Sequence, residues 1–213
     1  MHYLIVGLLL GFASAVSPGP LQVLVISQAV LRGWRAGALV ATAPLVSDIV
    51  IVVLTVGVVG ILPNKLISAV SLVGSVLVVY IAWHTWTATR GQAQDQALAV
   101  GGTGEARPSI ADVSYRQAVL LNFLNPHAWL FWVVVGAPLT LRAASKGTVD
   151  AIGFVLTFYL ALIGVKIILS VLAARGVDWL GSRFQVWMLR GASLGLVVIA
   201  VLLAVNGIIG LIQ

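Results

Sequence analysis

The sequence predicts an all-α integral membrane protein: six transmembrane helices forming two inverted three-helix repeats, with helices one and four interrupted at proline. Three observations predict it. The 213 residues are 61% hydrophobic and only 8% charged, with a mean hydropathy of +1.11, whereas a soluble domain carries roughly 25% charged residues. The apolar runs are long and unbroken by polar residues, where a membrane β-barrel would alternate the two over strands of about ten. Proline-bearing breaks recur at corresponding places in the two halves, "SPGP" at Ser17 to Pro20 and "NPH" at Asn125 to His127.

About 20 apolar residues cross a bilayer, and runs of that length predict spans near residues 3–29, 36–62, 66–88, 117–139, 149–174 and 186–212. The first run mimics a signal peptide ending in "ASA", Ala13 to Ala15. No Lys or Arg precedes it and apolar residues resume beyond the prolines, so the pattern reads as a retained span. The longest polar connection, residues 90–116, reads as a flexible cytoplasmic loop. It divides a single transmembrane domain, 1–213, into a first repeat of about 1–89 and a second of about 117–213.

Orientation follows the positive residues. Arg32, Arg35, Arg90, Arg107, Arg116, Arg175 and Arg183 fall on the side of the first, third and fifth connections; Lys65, Arg142 and Lys146 fall on the other. The first set belongs in the cytoplasm, so both termini are expected outside, in the cytoplasmic membrane. Three spans per half make the halves antiparallel, the arrangement of inverted-repeat transporters. The basic residues are single and lie between apolar runs, which excludes a nucleic-acid partner. With no cysteine, disulfides, thiolate metal sites and thiol redox relays are excluded, and no cofactor is expected.

A helix broken inside lipid frees N–H and C=O groups that must find partners, so breaks line cavities or pack in protein. After Ser17, Pro18, Gly19 and Pro20, a half-helix would present the N–H groups of Leu21 and Gln22 with the positive end of its dipole, a site for a carboxylate. A simple proline kink is the plainer reading. In the second spans of the two halves lie Asp48 and Lys166, the charges well inside the spans and expected to be functional. An intramembrane charge costs several kcal/mol unless paired. Lys166 sits some four residues from its span's centre, about 6 Å at helical rise, so its side chain would reach Asp48; a static ion pair or a snorkelling lysine is the alternative. Asn122 and Asn125 share one helical face leading into Pro126 and His127. They suit cargo binding, and Asn125 equally suits capping of the broken helix. His127 is a group that titrates near neutrality or a hydrogen-bonded structural residue. Trp83, His84 and Trp86 suit the membrane interface, and Gly191 with Gly195 forms a small-xxx-small helix-contact spacing, for packing within the subunit or between subunits.

Several stretches together resemble one family. "GFASAVSPGPLQVLVISQAVLRGWRAG" (Gly11 to Gly37), "GSVLVVYIAWHTW" (Gly74 to Trp86), "NFLNPHAWLFW" (Asn122 to Trp132) and "LRGASLG" (Leu189 to Gly195) resemble, in this order, the LysE/RhtB amino-acid exporters. Asp48 matches the family's acidic position in helix two. His127 stands where family members commonly carry Lys, and "VVVGAPLTL" replaces a "PQF"-like ending. The resemblance implies export of amino acids or close derivatives from the cytoplasm, driven by the proton gradient, and a homodimer.

The expected mechanism is alternating access about a site between the halves. The cargo carboxylate would meet the "SPGP" half-helix, and Asp48 would take the cargo ammonium or the counter-transported proton, with Lys166 holding Asp48 ionised when the site is empty and so taking part in proton coupling. Export of metal or lipid-like cargo on the same scaffold is the alternative, although hard cations want several oxygen ligands and the spans hold one carboxylate. An intramembrane enzyme would need a second buried Asp or clustered His with Glu, and neither is present. A non-transporting membrane subunit would need neither Asp48 nor paired breaks.

Overall fold

The computed structural model describes residues 2–17, 19–87, 115–175 and 183–212. The polar connection at 90–114 and Pro18 lie outside the described residues. Among the described residues the chain is helical and contains no strand. The helices are α1 (His2–Val16), α2 (Pro20–Arg32), α3 (Trp34–Ala41), α4 (Ala43–Gly60), α5 (Asn64–Thr87), α6 (Tyr115–Phe123), α7 (Pro126–Phe131), α8 (Ala137–Ala144), α9 (Thr148–Ala174) and α10 (Arg183–Ile212). A π-helical turn, Trp132–Gly136, joins α7 to α8. Among the described residues five helical stretches are long and apolar enough to cross a membrane, and six if the bent pair α1 and α2 crosses as one.

Helix α4 shows the solvent for which these helices are built. Ser47, Asp48 and Thr55 point inward while Ile49 and Val53 stay 63% and 66% exposed. An apolar outside around a polar inside reverses the pattern of a water-soluble helix and fits a lipid environment.

Both expected breaks are present. Helices α1 and α2 meet at 66°; Gly19 is extended (φ −170°, ψ 171°) and Pro20 occupies the first turn of α2, where its missing N–H is no loss. In the second half the freed backbone groups find specific partners. The Asn125 side chain accepts from the His127 N–H at 3.0 Å, which diverts that donor from the Phe123 carbonyl. The indole N–H of Trp129 donates to Phe123 O at 2.7 Å instead. Asn122 O, which Pro126 cannot serve, accepts from Asn125 N at 3.1 Å.

Two further prolines act in the same way without breaking a span. Pro44 lies in the first turn of α4, and the chain passes it with i→i+3 bonds, Thr42 N to Leu39 O and Leu45 N to Thr42 O. Before Pro138 the helix widens into the π turn, closed by Ala137 N on Trp132 O. Such bulges recur where a helix bond is lost and often at functional sites.

Glycines set the closest helix pairs. Helix α1 lies on α9 through Gly7 and Gly11: a Cβ at Gly7 would stand 2.6 Å from Phe154 O, and one at Gly11 would overlap Phe158 O. Helix α10 lies on α5, with Gly207 against Leu72 and Ser68. Among the described residues the expected Gly191 and Gly195 spacing makes no such seam. Gly191 faces open space, and Gly195 meets only the far end of Leu9 at 3.9 Å. Gly33, at φ +90°, joins α2 to α3, a conformation that favours glycine. Helix α9 packs on α1, α2 and α3, while α4 packs on α6 to α8. The second span of each half therefore lies against the broken span of the other.

Candidate functional site

The two breaks open into one cavity of about 180 Å³. Ser17, Gly19, Pro20, Leu21 and Gln22 line it from the first break, Asn122, Asn125 and His127 from the second, and Asp48 and Lys166 from α4 and α9. Of the residues singled out in the sequence, Pro126 is not part of the lining, and Pro18 lies outside the described residues. The cavity is small beside the roughly 300–1,000 Å³ of pockets for drug-sized ligands, a size for one small metabolite.

Asp48 is 4% exposed, and neutral groups surround its carboxylate. The Asn122 amide donates to Oδ1 at 2.7 Å, the Tyr159 hydroxyl donates to Oδ2 at 3.1 Å, and Ser47 Oγ lies 3.3 Å from Oδ1. Asn122 also donates to Ser47 Oγ at 2.7 Å, which ties α6 to α4. Lys166 is likewise 4% exposed, and its Nζ donates to Gln22 Oε1 at 2.9 Å.

The expected contact between Asp48 and Lys166 is therefore not made: among the described residues no ion pair joins them. Each instead takes a side-chain amide from the broken span of the opposite half, Asn122 for the carboxylate and Gln22 for the ammonium. The physical reason lies in the 66° bend, which carries the first turn of α2 to the level of Lys166. The lysine neither pairs with Asp48 nor snorkels to the interface. Two opposite charges thus line one cavity with only neutral hydrogen-bond partners, although buried charges are costly unless paired.

Asn125 performs the capping role, and it also lines the cavity. His127 lines the mouth with an exposed side chain. The floor is aromatic and was not singled out in the sequence: Phe131 stacks on Phe158 at 5.2 Å, and Trp132 lies edge-on to Phe158 at 5.6 Å. Tyr159 and Ser47 were also missed. Tyr159 had a readable signal, since it stands seven residues before Lys166, two helical turns along one face.

Loss of the Asn125 cap has a predictable cost. Asn125→Ala should lower stability by about 1 kcal/mol, the usual value of an N-cap side chain, while Asn125→Asp retains the acceptor. Thermal unfolding of the detergent-solubilised proteins measures both.

No curated protein and no solved structure matches the chain. The protein-family model described as LysE type translocator matches residues 12–207. That interval takes in both helix breaks, both buried charges and every residue of the cavity lining. The chain is a multi-pass membrane transporter belonging to the LysE type translocator family.

Proposed function

We propose that the protein is a secondary exporter of amino acids or close derivatives, exchanging them for protons by alternating access between two inverted halves. The observation that carries this reading is the cavity between the two helix breaks, with a buried carboxylate and a buried ammonium held by amides of opposite halves. The first half extends over about 1–89 and the second over about 117–213, and the reciprocal packing of second spans on broken spans supports their equivalence. Rocking of one half against the other would open the cavity alternately to each side. The excess of Arg on one side supports cytoplasmic connections there and both termini outside, in the cytoplasmic membrane. The resemblance supports a homodimer.

Asp48 serves as the shared acceptor. It binds either the cargo ammonium or a proton, so that one must leave for the other to bind, which makes exchange obligatory. The first turn of α2 offers Leu21 and Gln22 N–H groups, and the positive end of the half-helix dipole, to the cargo carboxylate. Asn122 and Asn125 supply neighbouring amides, and His127 stands at the mouth.

Efflux of a mixed amino-acid panel from loaded vesicles, with and without a pH gradient, tests the reading. Faster loss of particular amino acids, accelerated by the gradient, is the expected result. Absence of efflux from folded, correctly oriented protein would overturn amino acids as cargo and turn attention to metal or lipid-like molecules. Among the described residues no group of three His, Cys, Asp or Glu is placed to hold a metal ion.

A further inference from the structure

We infer that Lys166, with Gln22, anchors the cargo carboxylate, and that the cavity thereby selects a neutral amino acid with an apolar side chain. This deepens the transport reading above and rests on it.

Three independent features of the cavity converge. Lys166 is almost fully buried, and among the described residues its ammonium meets no carboxylate; Gln22 Oε1 is a neutral acceptor at 2.9 Å. A buried cation without a counter-ion keeps a large part of its desolvation penalty, and a bound carboxylate would remove it. Gln22 itself lies in the first turn of α2, so the ammonium sits beside the end of the helix that already favours an anion. Gly19, at that same end, has nothing within 4 Å of the position of a Cβ, which leaves room for the ligand's carboxylate.

Asp48, the opposite charge in the same lining, is likewise surrounded by neutral groups. A zwitterion completes both charges at once. An amine leaves Lys166 uncompensated, and an acid leaves Asp48 uncompensated.

The remaining lining decides the side chain. On α9, Phe158 and Leu162 precede Lys166 at four-residue intervals, so they form one stripe running from the ammonium. Phe131 stacks on Phe158 to widen it. Among the described residues no second carboxylate lines the cavity, so a basic side chain would enter unpaired. An aliphatic one fits, within a volume of about 180 Å³.

Uptake competition in vesicles separates the parts, with leucine as the reference and 3-methylbutylamine, 4-methylpentanoate, leucinamide, lysine and aspartate as competitors. Leucine should compete about 100-fold more strongly than the amine, the acid or the amide, within the range of losses when one partner of a buried charge pair is removed. In Lys166→Gln the apparent KM for leucine should rise by about the same factor while competition by leucinamide stays unchanged. A merely structural lysine would weaken both ligands together. Gln22→Leu, which keeps the charge and removes its holder, should shift leucine and spare leucinamide as well.

Equal competition by the amine, or a preference for lysine over leucine, would overturn the inference while leaving amino-acid export standing. No transport of any amino acid would instead overturn the export reading, and the inference with it.

Discussion

Asp48→Asn is expected to abolish gradient-driven export, lowering it by about 100-fold or more, with the fold intact. Asparagine matches the shape of the carboxylate and still offers an oxygen to the Asn122 amide, which now lies at 2.7 Å; its own NH2 can donate to the Tyr159 hydroxyl, which stands at 3.1 Å. Nothing in the surrounding packing needs to move. Removing a buried charge that lacks a counter-ion also removes a desolvation cost, so unfolding temperature should hold or rise. Function should not follow stability. A neutral amide cannot carry a proton through the cycle, and it forfeits the charge-assisted bond to the ammonium, a loss of roughly 2–5 kcal/mol when one partner of a buried charged contact is deleted.

The assay separates two roles for the carboxylate. If it binds only the proton, downhill exchange of labelled amino acid survives in Asp48→Asn and gradient stimulation alone disappears. If it binds proton and ammonium in turn, as proposed, both fall together. Retained gradient-coupled export in the variant would remove Asp48 from coupling altogether. Tyr159→Phe is the graded companion. It deletes one of the donors to Asp48 without touching the charge, so export should fall by roughly 10- to 150-fold, the scale of a single hydrogen bond to a charged group at about 1.5–3 kcal/mol.

The spans and their breaks were legible in the sequence because both rest on local chemistry, although the fourth long apolar stretch runs Pro126–Ala144 rather than 117–139, with its break at the start. A run of about 20 apolar residues needs no tertiary information to be a span, and Pro20 and Pro126 lack the N–H that a continuous helix requires. Membership of Asp48, Lys166, Gln22 and Asn122 in one cavity follows from the same logic, since lipid tolerates none of them on the outside. Their pairing was not legible. Helical rise brought Lys166 within reach of Asp48, but rise measures position along an axis and says nothing of rotation about it or of the 66° bend that delivers Gln22. Tyr159 shows the same gap: its place two turns before Lys166 was readable, but its bond to Asp48 was not until α4 is seen beside it. The π turn was hidden for a different reason. Pro138 announces a lost bond, but kinking, breaking and widening are all answers to that loss. The close approach of Gly74 to Val134 O, where a Cβ would overlap the carbonyl, marks the part of the α5 contact that accompanies the widened turn.

Glycine spacing is where sequence and structure part most clearly, and there a substitution pair gives a sharp outcome. Gly11→Leu should destabilise the protein by about 3 kcal/mol or more, at the upper end of overpacking costs, whereas Gly191→Leu should leave the unfolding temperature unchanged or raise it. Both positions are helical glycines in apolar runs, so propensity alone favours leucine at each by roughly 0.5–1 kcal/mol. At Gly191 open space receives the side chain, and propensity decides the sign. At Gly11 even the first added carbon meets the Phe158 carbonyl and lies about 3.0 Å from the Ala161 side chain. Backbone cannot swing away as the end of a side chain can, so α1 must lift from α9. In lipid that separation has no hydrophobic penalty to resist it, because the tails are as apolar as the helices; close van der Waals packing is what holds the pair together. The consequence reaches the site, since the backbone that would be pushed belongs to Phe158, whose ring forms the cavity floor. Thermal unfolding in detergent should therefore separate the two leucine variants, and transport by whatever Gly11→Leu protein remains folded should show a raised KM. An unaltered melting curve for Gly11→Leu would mean that α1 and α9 do not meet along this seam.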